Sequence, residues 1–130
     1  MNPLNRLLVG FVKLLPRAIV YIFAKKYVAG INLDEAVGET KKLNSKGIIA
    51  TMDVLGEAIS NKDEAIEAQK EIFEVLDAID QQKLDSNVSI KPTQLGLGLD
   101  KEFCYQRIKE VVERAKELNN FVRIDMEDSP

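Results

Sequence analysis

The sequence contains no histidine. That absence excludes a Ser-His-Asp triad, a Cys-His nucleophile pair and every metal site built on imidazole. Cysteine occurs once, at Cys104, so neither an internal disulfide nor a cysteine-based metal cluster can form within the chain. Cys104 itself reads as a small buried residue of a helix. Any chemistry must therefore come from Lys, Asp, Glu, Arg, Tyr or a cofactor. Acids are missing from the first 33 residues, where Arg6, Lys13, Arg17, Lys25 and Lys26 give +5; the chain's net charge of −3 leaves −8 for the remainder. With an acidic body and few aromatics, nothing points to nucleic acid as a partner. A long apolar run is also lacking. The stretch "LLVGFVKLLPRAIVYIFA" is broken by Lys13, Pro16 and Arg17, short of the roughly 18 apolar residues of a membrane span. A signal peptide would need an unbroken apolar core and a small-residue cleavage site, and neither fits well.

What remains is a chain of 130 residues, enough for one domain with a real core. Its composition, 45% apolar and 30% charged, is ordinary for a soluble globular protein. Residues 1–31 form a basic, apolar arm, read as helical and packed on the rest. Contact with a membrane surface, or a targeting role, are the alternatives.

From Asn32 onward the pattern is regular. Asn32 with Glu35 is a capping signal, Leu33, Ala36, Val37, Thr40 and Leu43 make a helical stripe, and Gly47 suits the left-handed position after it. "GIIATMDVLGE" reads as a buried strand over about 48–54. Ser60 with Asp63 forms a second capping box. It opens a long amphipathic helix whose face is Ile66, Gln69, Ile72, Phe73, Leu76 and Ile79. "NVSIKPTQLG" is a second strand, stopped near Lys91 because Pro92 cannot donate to a ladder. Asp100 caps a third helix, with Cys104, Ile108, Val111, Val112, Ala115 and Leu118 on its buried side. "FVRIDM" is the third strand. Alternation of this kind predicts an α/β fold with a parallel sheet.

Ligands of such folds bind at the carboxyl ends of the strands. Asp53, Lys91 and Asp125 fall at three successive strand tips. A lysine is rarely sheltered without a partner, so Lys91 is the sharpest signal. It could hold an anionic substrate, pair with Asp125 or form a Schiff base; the plain alternative is a strand-edge lysine reaching water. Strand alternation puts Arg123 and Asp125 on the inner side of the sheet and Val122 and Ile124 against the helices. Asp128 and Ser129 suit a loop or a helix cap. Asp53 and Glu57 read as structural, or as charge balance for Lys91. "GLGLD" lacks the context of a dinucleotide fingerprint and reads as a turn.

Three stretches, "YVAGINLDEAV…GIIATMDVLGE", "VSIKPTQLGL" and "FVRIDMEDSP", together resemble the amino-terminal part of bacterial proline dehydrogenase, from about Tyr27 to the last residue. The resemblance implies a variant (βα)8 TIM-like barrel, a flavoenzyme that oxidises L-proline to 1-pyrroline-5-carboxylate with FAD and passes electrons to a membrane quinone. It also implies a cytoplasmic protein with peripheral contact to the inner membrane. Carried over by position, Lys91 matches the substrate-contacting lysine and Asp125 the active-site aspartate. Met126 matches a residue bordering the flavin. Such a barrel takes about 250 residues, and three strands are visible. The expectation is thus a helical arm (1–31) followed by the first three βα units of an incomplete barrel (32–130). That fragment should be inactive alone, hold FAD weakly and self-associate. Two other readings stay open: a Schiff-base lyase fragment using Lys91, with Asp125 or Asp53 as proton shuttle, and a non-catalytic interaction module.

Overall fold

A computed structural model of the chain describes residues 29–30, 32–56 and 59–125. Apart from Ala29 and Gly30, the expected arm over 1–31 lies outside the described residues, as do Glu57, Met126, Asp128 and Ser129. The described elements alternate as expected: α1 (Leu33–Asn44), β1 (Ala50–Asp53), α2 (Lys62–Gln81), β2 (Ser86–Ile90), α3 (Lys101–Glu117) and β3 (Val122–Ile124).

Each helix begins where a short polar side chain can take a free amide of the first turn. Asn32 Oδ1 accepts from the Glu35 amide at 3.0 Å, and Asp100 Oδ1 from the Phe103 amide at 3.1 Å. At α2 the expected Ser60–Asp63 box is displaced by one residue. Asn61 is the cap, accepting from the Glu64 amide at 3.0 Å, and the Glu64 carboxylate returns to the Ser60 amide at 2.6 Å. Glutamate succeeds here because its extra methylene reaches back over the turn. After α1 the chain turns through Gly47 at φ +73°, the left-handed position expected for it.

The strands form one parallel sheet in the order β1-β2-β3. Ala50 pairs with Ser86 and Asp53 with Ser89, while Val88 pairs with Val122 and Ile90 with Ile124. Asn44, at the end of α1, braces the entry to the sheet. Its Nδ2 donates to the carbonyls of Ile48 and Asp85, and its Oδ1 accepts from the Asp85 amide.

The core lies between one face of this sheet and the helices. Met52, Val88 and Ile90 from the strands meet Ile72, Val75, Leu76 and Ile79 of α2 and Cys104, Val111 and Ala115 of α3, and Leu95 closes it. Periodicity located these faces with small errors. Ile66 and Val112 were expected inside and are 44% exposed; Ala65, Ala68 and Val75 occupy the buried side of α2 instead. The expectation of a buried first strand is also corrected. β1 starts at Ala50, leaving Ile48 and Ile49 exposed, and within it only Met52 is buried. Strand alternation turns Thr51 and Asp53 to the face away from the helices. On β3, Val122 packs on the core, whereas Ile124 at the sheet edge stays largely exposed.

Candidate functional site

Side chains alternate across a strand, so the pairing register assigns every strand residue to a face. Met52, Val88, Ile90 and Val122 face the helices. The opposite face therefore carries Thr51 and Asp53 from β1, Asn87 and Ser89 from β2, and Arg123 from β3. Lys91 and Asp125 extend it just past the strand ends. Every one of these residues is polar or charged. Parallel sheets are ordinarily apolar on both faces, so a face that is polar yet buried along β2 departs from the ordinary.

The register refines the three strand tips. Asp53, Ser89 and Arg123 lie in one row, and Lys91 lies two residues beyond Ser89. The Asp125 amide donates to the Ile90 carbonyl at 3.0 Å, which carries the ladder one step past β3. Lys91 Nζ stands 3.6 Å from Asp53 Oδ2, with side-chain exposures of 16% and 32%. The structure thus brings Lys91 to Asp53 on the strand before it, as charge balance required. The Asp125 carboxylate has Arg123 at 3.9 Å, in a pair that is about half exposed. Exposed pairs contribute about 0–1 kcal/mol; the sheltered Lys91–Asp53 pair holds its geometry better.

Below Lys91, two atoms have no hydrogen-bond partner: Asn87 Oδ1 and Ser89 Oγ, in residues 6% and 3% exposed. A buried polar atom left unpaired costs about 1–3 kcal/mol. Such atoms mark a place where water, a ligand or another side chain belongs. Sequence reasoning did not single out Asn87 or Ser89. The signal was present in "SNVSIK", where polar residues at 87, 89 and 91 alternate with Val88 and Ile90.

The turn after β2 shapes the rim. Residues 92–99 form consecutive turns, with Gly96 at φ +99°, so the "GLGLD" segment is a turn as expected. Gln94 is buried there, and its Nε2 donates to the Val54 carbonyl at 3.0 Å. Cys104 lies beneath, 2% exposed, with Sγ 3.4 Å from the Pro92 carbonyl oxygen, and burial pushes its thiol pKa up. It is a core residue, as expected. Two shallow open grooves lie elsewhere, one at the amino end of the strands near Ile49 and Phe121, the other between α1 and α2. Neither includes the strand-tip residues. Among the described residues no acidic, cysteine or histidine cluster could hold a metal ion, and no helix is long and apolar enough to cross a membrane.

Against this geometry stand the known proteins that the chain is similar to. The family model described as proline dehydrogenase matches residues 36–130. Proline dehydrogenase 1 of Bacillus subtilis subsp. natto is 37% identical over 105 residues, covering 81% of this chain and 35% of that protein. The proline dehydrogenase of Deinococcus radiodurans is 28% identical over 120 residues, covering 90% of this chain and 39% of that protein. The chain therefore spans a little over a third of the curated relatives it matches. Among solved structures, proline utilization A from Bdellovibrio bacteriovorus, inactivated by N-propargylglycine, superposes with a TM-score of 0.75 at 24% identity, over 94% of this chain and 15% of that one. This last likeness shows the α/β fold with its parallel sheet.

Proposed function

The chain belongs to the proline dehydrogenase family, and from that premise we propose that it forms the first βα units of a TIM-like barrel that oxidises L-proline to 1-pyrroline-5-carboxylate. FAD is the cofactor and a membrane quinone the final acceptor in this reading. The protein is placed in the cytoplasm, with peripheral contact to the inner membrane. The observation that carries it is the polar sheet face ending in the Lys91–Asp53 pair, at the strand ends where α/β folds bind ligands.

The fit of a flavin rests on the orphaned atoms of that face. Ser89 Oγ can donate or accept and Asn87 Oδ1 can accept, which suits a large ring system bearing both N–H and C=O groups. Met126 is proposed to border that ring through its backbone. FAD, when bound, supplies the acceptor for the hydride. The protein residues bind and orient. Lys91 offers its ammonium to the anionic end of the amino acid, and Asp53 holds that ammonium in place and balances its charge. Asp125, on the neighbouring strand, is the proposed active-site acid on the same rim, available to the substrate's ammonium group. An ion-paired ammonium has no lone pair for attack on a carbonyl, so the Lys91–Asp53 geometry speaks for substrate holding over Schiff-base chemistry.

A chimera tests the proposal. Residues 36–130 replace the matching third of Bacillus subtilis proline dehydrogenase 1, and proline-dependent dye reduction is followed. Activity is expected. Lys91→Met in the chimera is expected to lower kcat/KM by about 100-fold, the loss of roughly 2–3 kcal/mol from a charged contact. A flavin-loaded chimera whose turnover ignores Lys91→Met would sink the assignment.

A further inference from the structure

Gln94 touches the framework of both members of the Lys91–Asp53 pair. Its main-chain amide donates to the carbonyl of Lys91 at 3.1 Å. Its side-chain Nε2 donates to the carbonyl of Val54, the residue next to Asp53, at 3.0 Å. The exit of β1 passes close by: a Cβ at Gly56 would stand 3.6 Å from the same Nε2. Gln94 is 1% exposed, and its Oε1 has no hydrogen-bond partner. A buried carboxamide with an orphaned acceptor is less favourable than an apolar side chain of the same shape. Its presence is accounted for by what its donor holds.

We propose that Gln94 is a positioning residue, whose carboxamide ties the carboxyl tip of β1 to the turn after β2 and so sets the Asp53 carboxylate at the Lys91 ammonium. Val54 and Lys91 are anchored to one residue by two hydrogen bonds. Asp53 precedes Val54 directly, so its Cα is located by the same bond. Removing the Nε2 donor frees the β1 tip and lets the carboxylate drift from Lys91 without touching either charged group. The inference deepens the reading of the rim as a substrate site, and it rests on that reading only in taking Lys91 as the substrate-holding cation.

The test is the rate of acylation of Lys91 in the 130-residue chain, followed by mass spectrometry across pH in the parent, Asp53→Asn, Gln94→Met and the double variant. Acylation needs the free amine, and a nearby carboxylate favours the ammonium. Asp53→Asn is expected to raise the Lys91 rate at fixed pH about two- to fivefold, the range of a partly exposed pair. Gln94→Met should raise it in the same direction. The double variant should match Asp53→Asn alone, because Gln94 acts through Asp53. A Gln94→Met rate equal to the parent's, or an effect that persists in full on the Asp53→Asn background, overturns the proposal. Continued protection of Cys104 from thiol reagents reports an intact fold. If Gln94→Met exposes Cys104, Gln94→Leu takes its place: it is uncharged and cannot donate to Val54, and an unchanged Lys91 rate there is equally fatal. Protection of Lys91 by added L-proline, measured in the flavin-loaded chimera, separates this inference from the function. Gln94 coupled to Lys91 in the chain, with no protection by proline in the chimera, keeps the first and loses the second.

Discussion

Ser89 is a hydroxyl buried among neighbours with nothing to bond, and that makes it the most informative residue of the sheet after Lys91. Within the described structure it serves no stabilising purpose. Ser89→Ala is therefore expected to leave the stability of this chain unchanged or to raise it by up to about 1 kcal/mol, read from urea unfolding. A loss above that size would mean the hydroxyl already has a structural partner and is not reserved for a ligand. At this scale the candidate site was partly legible. Lys91 stood out because a charge inside a short strand needs explanation. Asn87 and Ser89 did not, because alternating polar residues look the same whether they face water or a ligand. Pairing was legible as a requirement but not as a choice: Asp53 and Asp125 both flank Lys91, and the structure sets the ammonium 3.6 Å from Asp53 Oδ2.

At the scale of elements, the helix starts carry most of the local information. Asp100 shows how a cap is also an ionic switch. The Lys62 ammonium, 2.7 Å away, and then the Phe103 amide hold its carboxyl below the usual carboxylate range. A depressed folded pKa means the contribution to stability is present above the unfolded value, near 4, and is lost as pH falls through the lower folded value. Asp100→Asn keeps a capping oxygen but no charge. Its expected signature is a flatter acid limb in plots of urea midpoint against pH below about 4, where unfolded carboxylates titrate, with the helix retained. An acid limb identical to the parent's would show that Asp100 is not ionically held. Asn32 and Asp100 were legible as caps because each is the only suitable residue before its helix. The start of α2 was ambiguous, since Ser60 and Asn61 are both cap formers and Asp63 and Glu64 are both acids. Which pair engages depends on where the first turn sits, and packing of Ala65, Ala68 and Ile72 sets that.

At the scale of the molecule, the described sheet has β1 and β3 at its edges and one polar face turned from the core. Exposed apolar side chains gather at its two ends, Ile48, Ile49 and Phe121 at one, Leu55 and Leu97 at the other. Open edges and such patches favour association. The 130-residue chain is accordingly expected to self-associate with rising concentration in sedimentation velocity, and to retain flavin well below one per chain after gel filtration. A single monomeric boundary at all concentrations, with stoichiometric flavin, contradicts both. Alternation of helix and strand, the parallel sheet, the strand tips and the family were determined by the sequence alone. Each depends on patterns read along the chain: the 3.6 and 2.0 periods, capping residues, and a few motifs at fixed spacing. That Asn87 and Ser89 are buried without partners, which acid meets Lys91, and that Gln94 ties the two strand ends together were decided only by the tertiary structure. Those facts rest on contacts between residues some forty positions apart, and their geometry is set by strand register and by the packing of α2 and α3 against one side of the sheet.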